Sequence, residues 1–228
     1  AEVWGIRPDG SNPCRHVVKF PETKRERFLS AEEFGRLGEA LAAAERDGSE
    51  TPSAIAMIRL LALTGCRLNE IMTLRWKYVE DGVLVLPDSK TGPKRVALGR
   101  AAMDVLAGIE REEGNPWVLA GRFPGERLKE IQRPWRRIRA RAKLPGLRIH
   151  DLRHSFASVG LIEKQGLPMI GKLLGHSQVQ TTARYAHLDQ DPQRAAASQI
   201  SDRIKDFMAP KKTDVPTEAA NDTTRQAS

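Results

Sequence analysis

Residues 150–188 read HDLRHSFASVGLIEKQGLPMIGKLLGHSQVQTTARYAHL. Within this short span lie histidines, two arginines and Tyr185, which is one of only two tyrosines in the chain. Imidazole, guanidinium and phenol groups all bind phosphate oxygens or carry protons. We expect these side chains to converge on one phosphate group, with Arg67 and Lys90 joining them from upstream.

The composition indicates a basic protein with a polyanionic partner. Thirty-seven Lys and Arg against 29 Asp and Glu give a net charge of +8, and such an excess attracts nucleic acid. A basic protein without that partner is the alternative.

Cys14 and Cys66 form no CxxC pair, so we expect reduced thiols, no metal site and no cofactor. No run is apolar enough for a membrane span, and no secretory signal opens the chain, so we expect a cytoplasmic protein.

The chain divides by composition into an arm, a folded region and a tail. Prolines interrupt residues 1–29, which also contain the basic run KRER at 24–27. These features, and a first residue that is not methionine, are typical of a linker within a longer protein. We expect one domain over residues 30–208. Residues 209–228 are polar with almost no large apolar side chain, so we expect a disordered tail.

Helix signals come first in the folded region. Ser30 and Glu33 have the spacing of a capping box, which predicts a helix to about residue 46. Thr51 as cap and Pro52 at the first helical position predict a second helix. A shorter helix, RLNEIMTL, is expected to open at Arg67.

A strand pattern replaces the helical one from about residue 76. Alternating apolar residues around 83–86 and 96–98 flank DSKTGPK, in which Gly92 and Pro93 favour a turn. Lys90 should therefore lie at the tip of a hairpin. If residues 78–80 pair as well, the fold is mainly α with a small antiparallel three-stranded sheet, an α+β class.

Helices return in the second half of the chain. We expect them over residues 100–113, 127–143 (split at Pro134), 150–163, 168–175, 178–187 and 192–208. Trp135, Ile138 and Ala142 should face the core, while arginines surround the rest of that helix. We predict DNA contacts for Lys24, Arg25, Arg27, Lys94, Arg133, Arg136 and Arg137; a solvated basic face is the alternative.

Six residues together match what cleavage of a phosphodiester requires without a metal ion. A nucleophile must attack phosphorus, cations must neutralise the transition state, and the leaving oxygen needs a proton. The candidates are Arg67, Lys90, His150, Arg153, His176 and Tyr185. Each alone could be a surface or packing residue, and His154 is interpreted as a packing histidine.

The local motifs resemble those of the tyrosine recombinases, the phage-integrase family of site-specific DNA recombinases. They are TGCRLNE around Arg67, SKTGPKR around Lys90, IHDLRHSFAS around His150 and Arg153, and LLGHSQVQTTARYAH up to Tyr185. The resemblance covers about residues 28–208 and implies the catalytic-domain fold of that family, ending in a docking helix. Residues 1–29 would then be the linker from a missing N-terminal core-binding domain.

The resemblance also implies a role for each candidate residue. Tyr185 would attack the scissile phosphate of double-stranded DNA and form a 3′-phosphotyrosyl bond. Arg67, Arg153 and His176 would bind the non-bridging oxygens, and Lys90 would protonate the leaving 5′-oxygen. His150 would assist as acid or base toward the tyrosine proton.

Recombinases of this kind imply partners. We expect a homotetramer on paired DNA sites, joined through the C-terminal helix, with DNA-bending accessory proteins as possible partners. The protein would be encoded by a bacterium or phage and would integrate or excise a phage or mobile element. Chromosome-dimer resolution and a type IB topoisomerase-like nicking and closing activity are the alternatives.

Overall fold

The computed structural model describes residues 2–12, 14, 17, 20, 27–87, 92–175, 182, 185 and 201. Residues 1–185 form one compact unit, and residues 186–228 form a second. Lys24, Arg25, Lys90 and His176 lie outside the described residues, as do the expected helix at 192–208, except Ser201, and the expected tail. Of the expected helix at 178–187, only Thr182 and Tyr185 are described.

The first unit contains helices in two groups, separated by a small sheet. The first group is α1 (Ala31–Arg46), α2 (Pro52–Thr64) and α3 (Leu68–Met72). A 3₁₀ turn (Trp76–Tyr78) leads into β1 (Val79–Glu80), β2 (Val83–Leu86) and β3 (Lys94–Ala97). The second group is α4 (Arg100–Ala107), α5 (Gln132–Arg141), α6 (Asp151–Ile162) and α7 (Leu167–Leu174). The predicted class, mainly helical with a small sheet, is confirmed.

The predicted helix starts are confirmed at α1 and α2. The Ser30 hydroxyl accepts from the Glu33 N–H, and the Glu33 carboxylate accepts from the Ser30 N–H, each at 3.2 Å. The Thr51 hydroxyl accepts from the Ala54 N–H at 3.3 Å, with proline in the first turn. These bonds satisfy N–H groups that have no partner within the helix.

Helix α2 forms the centre of the core. Its residues are apolar around most of the circumference and are almost all buried, which is the pattern of a helix enclosed on every side. It packs against α4 and α6, and α1 packs against both α2 and α5. Trp135, Ile138 and Ala142 are buried as predicted.

The sheet is an antiparallel meander in the order β1-β2-β3. Leu84 pairs with Val96 and Leu86 with Lys94. Leu84, Leu86 and Val96 are buried, and side chains two apart on a strand share a face. Lys94 therefore points to the same side as Val96.

Two helix boundaries differ from the prediction. The helix expected to split at Pro134 instead begins at Gln132; proline is tolerated in the first turn because N–H groups there lack intrahelical partners. The helix expected to reach residue 113 ends at Ala107, with Gly108 as its C-cap. The acidic residues that follow would be unfavourable at a helix C-terminus. Within the described residues, no helix is long and apolar enough to cross a membrane.

Candidate active site

Arg153 joins the C-terminal ends of two helices. It lies on α6, and its two terminal nitrogens donate to the carbonyl of Gly65 at 2.5 Å and of Leu174 at 2.8 Å. Gly65 caps α2 and Leu174 is the last residue of α7, so both carbonyls are at helix ends that carry partial negative charge. Arg153 is only 4% exposed, and three further N–H groups of the guanidinium can bind another acceptor.

A second cluster centres on the carboxylate of Glu70. Glu70 occupies the first turn of α3 and accepts the backbone N–H of Arg67 at 2.7 Å. The Arg67 guanidinium donates to the other oxygen at 3.0 Å, and Lys94 Nζ donates to the first at 2.6 Å. The carboxylate thus fixes one cation from α3 and one from β3, and the side chains of both Glu70 and Lys94 are buried.

The electrostatics of Glu70 follow from these contacts. Burial by itself would raise the pKa of the Glu70 carboxyl, because it disfavours the charged form. The bonds from Lys94 and Arg67 outweigh burial and hold the pKa below its ordinary value. Glu70 is therefore a fixed anion that orients Arg67.

The two arginines belong to one site. Burial lowers the pKa of Arg153, and the nearby positive charge of Arg67 lowers it further, while Glu70 acts in the opposite direction. Arg153 donates to the carbonyl of Gly65, two residues before Arg67, so the same contact brings the two arginines into one region of the fold. Residues 86 positions apart in the chain thereby form one cationic centre, and arginine stays protonated at neutral pH.

Tyr185 lies beside this centre. The Tyr185 hydroxyl is 2.7 Å from Nδ1 of His154, and Tyr185 interacts electrostatically with Arg153. The rings of His150 and His154 meet edge to face, with centroids 5.0 Å apart. His150 is exposed at the start of α6, and Tyr185 is 6% exposed.

A small residue on α7 lets the tyrosine segment approach. A Cβ at Gly171 would lie 2.7 Å from the hydroxyl oxygen of Thr182, so glycine is needed for this contact. Thr182 is buried, and its carbonyl accepts the N–H of Tyr185 at 3.0 Å. Helix α7 therefore supports the turn that presents the phenol.

The structure brings together four of the six predicted catalytic residues, namely Arg67, His150, Arg153 and Tyr185. Lys90 and His176 lie outside the described residues, and their part in the site stays a prediction.

The described residues among the predicted DNA contacts occupy three kinds of environment. Arg133 and Arg136 are exposed on α5. Arg27 forms a bidentate ion pair with Glu33. Arg137 forms a bidentate ion pair with Glu50, and the Arg137 side chain is 61% exposed. Lys94 lies in the buried cluster, bonded to Glu70. For these residues, DNA contact remains a prediction.

Sequence reasoning gave no role to Glu70, assigned Lys94 to the DNA surface and interpreted His154 as packing. The sequence contained an indication of each of these three roles. Glu70 lies three residues after Arg67, the spacing at which a carboxylate in the first helical turn accepts the N–H of the cap residue. Lys94 alternates with buried Val96, and His154 follows Arg153 directly. Among the described residues, no group of three or more His, Cys, Asp or Glu is arranged to hold a metal ion.

Comparison with known proteins identifies the same family that the sequence motifs resemble. The sequence model of the phage integrase family matches residues 27–191. The chain is 32% identical over 165 residues to the tyrosine recombinase XerD of Pseudomonas putida, an alignment that covers 67% of this chain and 52% of that protein. The chain thus spans about half the length of this relative.

Solved structures share the fold at lower sequence identity. The catalytic domain of bacteriophage HP1 integrase has a TM-score of 0.59 at 22% identity, covering 76% of this chain and 95% of that one. The XerH recombinase bound to its difH substrate has a TM-score of 0.60 at 23% identity, covering 77% and 53%. The arrangement of helices around a small sheet is therefore one that these catalytic domains share.

Proposed function

Because the chain belongs to the phage integrase family, we propose that it is the catalytic part of a tyrosine recombinase, which cuts and rejoins double-stranded DNA. The observation that carries this proposal is geometric: Arg153 donates to the carbonyl of Gly65, two residues before Arg67, and the Tyr185 hydroxyl lies 2.7 Å from Nδ1 of His154, the residue after Arg153. Two guanidiniums supply the charge that a pentacoordinate phosphoryl group requires. A phenol beside them supplies the nucleophile.

In the proposed reaction, Oη of Tyr185 attacks phosphorus. A new P–Oη bond forms, the bond from phosphorus to the 5′-oxygen breaks, and the phenol proton passes to an imidazole of the site. Arg67 and Arg153 bind the non-bridging oxygens, since a planar guanidinium donates to two oxygens at once. His176 assists them, and Lys90 gives its proton to the departing 5′-oxygen, as the family resemblance implies.

The fold supports this assignment by fixing both arginines before DNA arrives. Arg153 is held by two carbonyls and Arg67 by Glu70, so little reorganisation is needed when charge develops on the phosphate. The covalent intermediate retains the phosphodiester energy, and a 5′-hydroxyl can reverse the step. The proposed reaction therefore needs no ATP, and Arg67 and Arg153 supply the positive charge that a metal ion would otherwise provide. Tyr185 is 6% exposed, so the proposed reaction includes a movement that brings its hydroxyl to the phosphate.

Binding of double-stranded DNA is supported by the charge and by the relatives. The net charge is +8, and the exposed arginines of α5 offer phosphate contacts. The similar XerH structure was determined with its DNA substrate. We further propose that protomers assemble as a tetramer on paired sites through residues 192–208, and that the protein acts in the cytoplasm of a bacterium.

The test is covalent attachment to DNA. The purified chain is incubated with nicked duplexes carrying a randomised recognition sequence, because loss of the short nicked strand traps the covalent complex. Denaturing gels then detect the adduct, and its DNA is sequenced to give a defined substrate. Wild type should form the adduct and Tyr185→Phe should not, while still binding DNA.

Tyr78 provides a matched control, since it is the other tyrosine of the chain and lies in the 3₁₀ turn before β1. Tyr78→Phe should retain adduct formation. Adduct in the Tyr185→Phe variant, or none from wild type on the whole pool, would refute the proposed function.

Strand exchange distinguishes the remaining activities. Transfer of a strand between two separate duplexes indicates a recombinase, whereas cleavage and closure within one duplex indicates a nicking and closing enzyme. Deleting residues 195–228 should weaken multimers on DNA more than binding to a single site. The relatives include Xer recombinases and a phage integrase, so integration, excision and chromosome-dimer resolution all remain compatible with the proposal.

A further inference from the structure

His154 contacts the atom that would react. Its Nδ1 is 2.7 Å from Oη of Tyr185, and the two rings are 5.9 Å apart at an angle of 55°. This separation is within the range for proton transfer between a nucleophile and its base. The ring is partly buried on the same helix as Arg153, which is fixed by two backbone carbonyls. The helix therefore supplies a phosphate-binding cation and a contact to the phenol from adjacent residues.

We propose that His154 accepts the proton of Tyr185 during DNA cleavage, an inference that rests on the proposed function. As Oη attacks phosphorus, the O–H bond breaks and the proton moves to Nδ1, while the bond to the 5′-oxygen breaks and that oxygen takes a proton from Lys90. When a 5′-hydroxyl later attacks the phosphotyrosyl bond, the hydroxyl gives its proton to the neutral amine of Lys90, and His154 returns its proton to the leaving phenolate. Protons and charge balance in both directions.

This role requires one tautomer of His154. Nδ1 can accept from the phenol only when the neutral ring carries its hydrogen on Nε2. The charge that develops on Oη also lies near the guanidinium of Arg153, with which Tyr185 interacts electrostatically. The positive charge of Arg153 therefore favours loss of the proton to His154.

The proposal separates the roles of two histidines on one helix. His150 stacks edge to face on the His154 ring, with centroids 5.0 Å apart, and can hold that ring in the orientation that presents Nδ1 to the phenol. His154 is a catalytic residue because it touches Oη. His150 is assigned here as a positioning residue for His154.

Two variants distinguish proton transfer from orientation. In His154→Asn, the amide oxygen lies close to the former position of Nδ1 and can accept the phenol hydrogen bond, but it cannot take up the proton. His154→Ala removes both capacities. On the duplex selected with wild type, both variants should cleave about 10²–10⁴-fold more slowly while binding DNA and melting as wild type does.

A sulfur substrate distinguishes the nucleophile's proton from that of the leaving group. In a duplex with a 5′-bridging phosphorothiolate, the leaving thiolate needs no proton. Lys90→Ala should therefore regain cleavage on this duplex. His154→Ala and His154→Asn should remain slow, because the phenol still has to lose its proton.

Several results would overturn the inference. Near wild-type cleavage by His154→Asn would limit His154 to orientation, and unchanged or faster cleavage by His154→Ala would show a bond that only holds the resting phenol. Rescue of both variants by the phosphorothiolate would place the histidine on the leaving-group side. Tyr185→Phe should form no adduct in any of these cases, so failure of the inference leaves the proposed function intact.

Discussion

Replacing Glu70 with glutamine would remove one negative charge from the centre of the site and change little else in shape. The carboxylate accepts from Lys94 at 2.6 Å, from the Arg67 backbone at 2.7 Å and from the Arg67 guanidinium at 3.0 Å. Glutamine has one acceptor oxygen where glutamate has two. Its NH₂ group would therefore face a donor, on either Lys94 or Arg67.

The expected cost follows from the burial of this network. Each hydrogen bond to a charged group contributes about 1.5–3 kcal/mol, and breaking a buried ion pair by removing one partner costs about 3–5 kcal/mol. Both side chains of the Glu70–Lys94 pair are less than 10% exposed, so we expect Glu70→Gln to lose about 3–5 kcal/mol of unfolding free energy. For a domain of this size, that lowers Tm by about 6–20 °C.

Glu45 provides the matched control. It pairs with Arg59 at 2.7 Å, but its side chain is 54% exposed, and such pairs contribute about 0–1 kcal/mol. Urea unfolding of Glu70→Gln, Glu45→Gln and wild type compares the two sites directly. Equal, small losses in both variants would refute the argument that the buried carboxylate anchors the cluster.

A double variant separates stability from catalysis. In Glu70→Met with Lys94→Met, neither charge is left buried alone, and replacement of a buried ion pair by apolar residues is often neutral. Stability should return to within about 2 kcal/mol of wild type, whereas DNA cleavage should stay impaired because Arg67 has lost its anchor. Recovery of full cleavage would contradict the positioning role of Glu70.

Three other predictions concern pH, packing and salt. The pKa of Glu70 lies below its ordinary value of 4.5. The stabilisation that the ionised carboxylate provides is therefore complete above pH 4.5 and is lost as the pH falls through the lowered pKa. The unfolding free energy, measured down to about pH 3, should fall with pH in wild type and fall less in Glu70→Gln. Gly65→Ala should cost about 2–5 kcal/mol, because φ is +62° and the new Cβ would lie 2.7 Å from the Phe156 ring; a loss below about 1 kcal/mol in urea unfolding would show that the site relaxes. Replacing Arg133 and Arg136 with alanine should reduce the slope of log K against log salt by about 0.9 for each arginine that contacts a phosphate; an unchanged slope would remove α5 from the DNA interface.

The sequence was sufficient for the elements whose signals are local. The capping box at Ser30 and the Thr51 cap depend on residues within one helical turn, and the structure contains both. The hairpin was predictable for the same reason, because its turn residues and alternating strands are adjacent in the chain. Pro134 was misjudged because its effect depends on where the helix begins.

The sequence predicted which residues belong to the candidate site, but it did not predict the contacts between them. The motifs around Arg67, Arg153 and Tyr185 identified residues that the structure brings together. Nothing local shows that Arg153 would donate to Gly65 and Leu174, since these carbonyls belong to helix ends far apart in the chain. His154 contacts Tyr185 only because the segment at Thr182 packs against α7.

What the sequence alone determined is therefore the family, the helix caps, the hairpin and the chemical types available to one site. The tertiary structure alone decided which groups meet: a lysine expected at the DNA surface bonds a buried glutamate, and a histidine interpreted as packing contacts the phenol. The physical reason is that caps and turns depend on neighbours in the chain. Ion pairs and proton-transfer contacts depend instead on distances of about 3 Å between distant segments, and only core packing fixes these.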